Sequence, residues 1–212
     1  MKAMVREEIE VYARTHSTPA NPLLEELEKA TREMMKDAQM LTGPVEAGLL
    51  KLLVGNTHAK RVIEVGMFTG YGTLSMAEAL PEDGKIIACE VDPERIQFAK
   101  KYFERSPHGR KIEVWEGNAY QTMRSLVPPY DLIFIDAEKT GYDAYYEEAI
   151  RLLRVGGLVV LDNMLMAGKV LEPNDPESKA VDALNRKISH DKRVEAVLLT
   201  IRDGVVVGRK KN

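Results

Sequence analysis

The chain has 212 residues, 44% of them hydrophobic and 30% charged, enough for one α/β domain with a substantial core and little room for a second. A net charge of −3 and a pI of 5.9 leave no basic footprint for nucleic acid, and Arg209-Lys210-Lys211 is too short to supply one. Cys89 stands alone, the first residues hold no apolar signal core, and no run approaches the roughly 20 apolar residues of a membrane span, so the expectation is a cytoplasmic protein with no internal disulfide and no membrane partner.

The first predicted helix covers about residues 3 to 14 and carries Val5, Ile9 and Tyr12; His16-Ser17-Thr18-Pro19 ends it. Asn21-Pro22 starts a second, because Asn caps and Pro is tolerated at the first helical position. Leu23, Leu27, Ala30 and Met34 then recur at helical spacing. A third begins near Pro44, with Leu49, Leu50, Leu53 and Val54 as its buried side, and stops at Gly55. Residues 1–56 thus read as an N-terminal helical cap on an α/β core over 61–212, placed to cover a site or to build a dimer interface.

From Arg61 the rhythm becomes strand, turn, helix. Strands are predicted at 62–65, 85–90, 111–115, 131–135 and 157–161, with helices starting near Tyr71, Asp92, Asn118 and Gly141. This alternation predicts a Rossmann-like, doubly wound parallel sheet. After a helix at 177–190 come Val194–Thr200 and Val205–Gly208, separated by Ile201-Arg202-Asp203-Gly204; Asp-Gly between apolar runs predicts a hairpin. The expected sheet has seven strands, mostly parallel, with a C-terminal antiparallel pair at its edge. Leu171–Glu177 reads as a mobile loop.

Two strand ends carry chemistry. Asp131-Leu132-Ile133-Phe134-Ile135-Asp136-Ala137-Glu138-Lys139 is an apolar strand that delivers a carboxylate and an amine. Leu158-Val159-Val160-Leu161-Asp162-Asn163 is built the same way. Asp136, Asp162 and Asn163 at adjacent strand ends form a hard oxygen set suited to Mg²⁺, with Ca²⁺ or Mn²⁺ as alternatives; His16, His58, His108 and His190 lack zinc-ligand spacing. The competing account is turn chemistry, with Asn163 capping the next segment.

Glu64-Val65-Gly66-Met67-Phe68-Thr69-Gly70-Tyr71-Gly72 runs from a strand into a glycine turn spaced G-x-x-x-G-x-G, which matches neither the dinucleotide fingerprint nor the phosphate loop. Glu64 would repel phosphates but could pair with a cation. Glu90, ending the next strand, stands where an acid binds ribose hydroxyls. A nucleoside with a positively charged or zwitterionic group is implied, and S-adenosylmethionine fits. A tight turn with a surface glutamate is the plain alternative.

These segments resemble the class I S-adenosylmethionine-dependent O-methyltransferases, in particular the metal-dependent group that includes caffeoyl-CoA and catechol O-methyltransferases. The resemblance runs from about Tyr12 to Val170 and continues more weakly to the C-terminus. Besides the glycine turn, its carriers are Ala79–Lys85, Glu116–Ala119, Phe134–Lys139 and Asp162–Gly168. It implies that Glu64, Gly66 and Tyr71 line the methionine end of the cofactor. Glu90 would hold the ribose, with Val91 and Ala119 beside the adenine, and Gly117 and Asn118 would also bind the cofactor. Met40 and Thr42 match a segment that closes over the cofactor. Asp136, Asp162 and Asn163 become the metal ligands, and Lys139 the catalytic base beside Asp136. Two departures stand out. The family usually has serine where this chain has Gly72, with Thr73 next in line to supply the hydroxyl, and often tryptophan where it has Met166.

The function expected is methylation of a hydroxyl on a small catechol-like or vicinal-diol metabolite by a homodimeric enzyme. The alternatives are an RNA or protein methyltransferase on the same fold, which the acidic pI disfavours for RNA, and a catalytically silent cofactor-binding module.

Overall fold

The alternation of apolar strands and capped helices folds as one seven-stranded sheet in the computed structural model, which describes residues 4–212. The strands are β1 (Arg61–Val65), β2 (Lys85–Glu90), β3 (Ile112–Glu116), β4 (Tyr130–Ile135), β5 (Leu153–Leu161), β6 (Val194–Leu199) and β7 (Val205–Lys210). Their order is β3-β2-β1-β4-β5-β7-β6; β7 alone runs against its neighbours. The helices are α1 (Glu7–Thr15), α2 (Pro22–Met34), α3 (Pro44–Asn56), α4 (Tyr71–Ala79), α5 (Pro93–Phe103), α6 (Ala119–Ser125), α7 (Tyr142–Leu152) and α8 (Pro176–His190). Four predicted starts lie within two residues of a side-chain cap: Asn21, Asp92, Asn118 and Asp175 all accept from first-turn backbone N–H groups. No helix among the described residues is long and apolar enough to cross a membrane.

Strand alternation sorts the core. Ile63, Val65, Ile133, Ile135, Val159 and Leu161 face α6, α7 and α8, whereas Val62, Leu132, Phe134 and Val160 face α3 and α4. Glu64 falls on the second face by the same alternation, which buries it under α4.

The N-terminal helices depart from prediction in detail. The predicted start at residue 3 lies outside the described residues, and the helix begins at Glu7. It buries no residue: Ile9 and Tyr12 are exposed, and Arg14 anchors it with a bidentate pair to the buried Glu28 at 2.9 Å. On α2 the buried stripe is Leu24, Leu27 and Thr31, one step from the predicted one, because Glu28 turns inward to meet Arg14 and Arg32. On α3 it is Glu46, Ala47, Leu50 and Val54. β5 starts four residues early, running through a register irregularity opposite Tyr130–Leu132.

The sheet order reverses between β1 and β4, where an open α/β sheet leaves its ligand crevice. There Gly66 has φ +93°, and a Cβ on it would lie 1.9 Å from the Asp136 carbonyl oxygen. Gly66→Ala should therefore lower stability by about 3 kcal/mol, read as a fall in the urea midpoint.

At the opposite end Arg193 donates to both Glu147 oxygens at 2.8 Å and to Asp191, holding these carboxyls at about 2 against ordinary values of 4.5 and 3.8. Depressed carboxyls contribute fully above their unfolded values and lose that contribution as pH falls through the folded ones. The melting-temperature gap between the wild type and Arg193→Ala should be open at neutral pH and close between about pH 5 and about pH 2.

Candidate functional site

The ladder of the parallel sheet continues one residue past each strand and fixes the ends that matter. Gly66 N–H donates to Cys89 O, Gly117 N–H to Glu90 O, Asp136 N–H to Val65 O, and Asp162 N–H to Ile135 O. Glu64, Gly66, Glu90, Gly117, Asp136 and Asp162 are thereby set along one edge.

Two adjoining cavities open on that edge. The first, of about 300 Å³, is lined by Gly66, Glu90, Val91, Gly117, Asn118, Ala119 and Asp136, with Met40 and Thr42 completing its wall. Its other lining residues include Phe68, Cys89, Arg95, Glu138 and Tyr145. Glu90 is buried; its Oε2 accepts from Phe68 N–H at 2.7 Å and its Oε1 from Val91 and Asp92 N–H at 2.9 and 3.1 Å. Three backbone donors hold the carboxylate rigid at the cavity wall.

Glu64, Tyr71, Gly72 and Thr73 stand behind this wall and do not line it. Glu64 is buried and accepts from the Thr73 hydroxyl; burial, opposed by that bond and reinforced by Asp136 and Glu90, pushes its carboxyl up to about 8. The departure at Gly72 has a physical reason here. A Cβ at this position would lie 2.9 Å from Glu64 Oε1 and 3.2 Å from Thr42 Oγ1, so this packing favours glycine and Thr73 supplies the hydroxyl. Burial pushes the Tyr71 hydroxyl up to about 12, and it remains a neutral packing group.

The second cavity, of about 580 Å³, shares Met40, Asp136, Ala137 and Glu138 with the first. It brings together Asp136, Lys139, Asp162 and Asn163, joined by Met4, Met166, Lys169, Arg202 and Asp203. Lys139 Nζ donates to Asp136 Oδ1 at 3.1 Å and meets Tyr142 OH at 2.5 Å; Tyr142 OH is also 3.1 Å from the Asp162 carbonyl. Burial raises the Tyr142 hydroxyl well above its ordinary value, with Asp136 and Asp162 adding to it. Asp162 is 3% exposed, and its Oδ1 has no hydrogen-bond partner among the described residues. Burial and then Asp136 push its carboxyl up to about 7, against Arg202 and Lys139. Asn163 takes a left-handed backbone, φ +57°.

Among the described residues no three His, Cys, Asp or Glu side chains form a metal-holding group, so a cation here would draw on two carboxylates and the Asn163 amide. The donor set nevertheless fits a hard divalent ion. A buried carboxylate oxygen without a donor is costly, and a cation would compensate it.

Several site residues lay outside the predicted set. Arg95 pairs with Asp37 at 3.3 Å and reaches Glu90 at 3.8 Å; nothing but its place in the first turn of α5 marks it. Tyr145 on α7 also lines the first cavity and donates to Glu138 at 2.8 Å. Glu46 is fully buried near Asp162 and Asp136, and its spacing from Leu50 and Val54, four and eight residues on, was a usable signal.

Comparison with known proteins follows the same outline. A family model described as O-methyltransferase matches residues 14–211. Probable caffeoyl-CoA O-methyltransferase 2 of Dictyostelium discoideum is 38% identical over 209 residues, covering 95% of this chain and 90% of its own. The O-methyltransferase TomG of Streptomyces achromogenes, solved with S-adenosylmethionine (SAM), superimposes with a TM-score of 0.88 at 25% identity over 97% and 96% of the two chains. The Bacillus cereus O-methyltransferase solved with S-adenosylhomocysteine (SAH) does so with 0.85 at 27% identity over 96% and 97%. The chain belongs to the O-methyltransferase family.

Proposed function

We propose that this chain, as one methyltransferase domain, transfers the methyl group of SAM to a hydroxyl of a small catechol-like or vicinal-diol acceptor with the help of a divalent cation. One observation carries the proposal: the two cavities meet at Asp136, and the second holds the partnerless buried oxygen of Asp162. When bound, SAM supplies an activated methyl on a sulfonium, and Mg²⁺ or a similar ion makes an adjacent hydroxyl more acidic.

Glu64 would neutralise the cationic methionine end from behind Gly66, and Glu90 would accept from the ribose hydroxyls. Met40 and Thr42 would exclude water from the first cavity. Asp136, Asp162 and Asn163 would hold the cation, and Lys139 Nζ would take the acceptor proton. A cation beside an amine favours its uncharged, proton-accepting form. Tyr142 OH keeps Lys139 Nζ beside Asp136. The relatives' caffeoyl-CoA names fit a catechol ring, which the thioethers of Met4, Met40 and Met166 would accommodate flexibly. The exposed Ile9, Val11 and Tyr12 on α1 suit the expected homodimer interface.

Labelled methyl transfer from SAM to a simple catechol is expected, to be abolished by EDTA and restored by Mg²⁺; transfer indifferent to EDTA would remove the metal from the proposal. Asp162→Ala should lose the Mg²⁺ stimulation while still binding SAH. Lys139→Ala should lower kcat by about a hundredfold or more with the acceptor KM nearly unchanged, and an unaltered kcat would exclude it as the base.

A further inference from the structure

Arg202 sits in the β6–β7 turn with φ +48°, a left-handed conformation that Gly adopts freely and that other residues rarely keep without a compensating interaction. The compensation lies across the molecule. Arg202 Nη1 donates to the Thr42 carbonyl and to Glu46 Oε2, the latter at 2.7 Å. Glu46 is fully buried on α3, and its other oxygen has no partner among the described residues. Arg202 also lines the second cavity, while Thr42 lines the first. One side chain therefore ties the C-terminal hairpin, the segment over the cofactor cavity and the floor beside Asp162.

We infer that Arg202 is a positioning residue for cofactor binding: by holding the Thr42 carbonyl and the Glu46 carboxylate together it keeps the Met40–Thr42 segment closed over the first cavity. This rests on the proposal that the first cavity takes SAM. The charge-assisted pair fixes where α3 begins, and the bond to the Thr42 carbonyl fixes the segment just before it. Arg95 reaches the preceding turn through Asp37 from the other side, but that pair is more exposed and correspondingly weaker. The Arg202 contact is thus the stronger fastening.

The test is SAH affinity by titration calorimetry, which needs neither acceptor nor metal. Arg202→Gly relieves the backbone strain but leaves Glu46 uncompensated, so it is paired with the double variant Arg202→Gly/Glu46→Gln, which removes the Glu46 charge as well. The double variant should melt near the wild type yet bind SAH about tenfold more weakly, the loss expected for a charge-assisted hydrogen bond. Tryptic cleavage after Lys36 should be faster in it. Arg202→Lys, which keeps the charge, should recover part of the affinity. A double variant that folds and binds SAH within about twofold of the wild type overturns the inference. A wild type that fails to bind SAH overturns the cofactor proposal beneath it.

Discussion

The site depends on a close approach of two backbones. At the reversal between β1 and β4, the Gly66 Cα faces the Asp136 carbonyl with no room for a side chain. That contact places Asp136 where both cavities reach it. A residue one carbon larger at position 66 would part the strand ends, separating the wall of the first cavity from the carboxylate of the second. The distance between donor and acceptor pockets is thus set by the main chain, which is stiffer than any side-chain contact.

Around this point the chain spends hydrogen bonds on rigidity. Glu90 is held by three backbone N–H groups, and Lys139 is steadied by Asp136 and Tyr142. Tyr142 reaches back to the carbonyls of Ile135 and Asp162, linking the ends of β4 and β5. Groups fixed in this way lose little freedom when a ligand arrives. The segment over the first cavity differs: it is joined to the sheet by side chains, Arg95 to Asp37 and Arg202 to Thr42. A part that must admit a cofactor is better fastened by such contacts than by ladder bonds.

Most of the fold was legible because its signals were local. Buried parallel strands announced themselves as apolar runs, Asn21, Asp92 and Asn118 marked helix starts, and Asp203-Gly204 marked the hairpin. The stripes on α1 and α2 were misjudged because Glu28 is buried by an ion pair with Arg14, a contact between helices that periodicity does not carry. The site divides similarly. Asp136, Asp162, Glu90 and Lys139 were visible as polar ends of apolar strands. Arg202 was not, for it acquires its place only from a partner 156 residues away, whereas Glu46 shares the helical spacing of Leu50 and Val54. Glu64 was visible as a residue, but its position behind the wall follows from the face that strand alternation assigns it.

Charge gives these pieces a common direction. Glu46, Glu64, Glu90 and Asp162 are buried along one edge with Asp136 half-buried beside them, and the chain brings in Lys139, Arg95 and Arg202. Arg202 serves Glu46, Lys139 serves Asp136, and Arg95 stands nearly 4 Å from Glu90, so among the described residues Glu64 and Asp162 form no ion pair. Those two carboxyls are pushed upward, to about 8 and about 7, primarily by burial. An interior that leaves two carboxyls so placed is poorly suited to an anionic cofactor such as a pyrophosphate and well suited to a cation at each cavity. A sulfonium with an ammonium satisfies the first and a divalent ion the second. The deficit of positive charge is therefore the complement of the proposed ligands, and it explains why a glycine turn that looks superficially nucleotide-like begins with a glutamate.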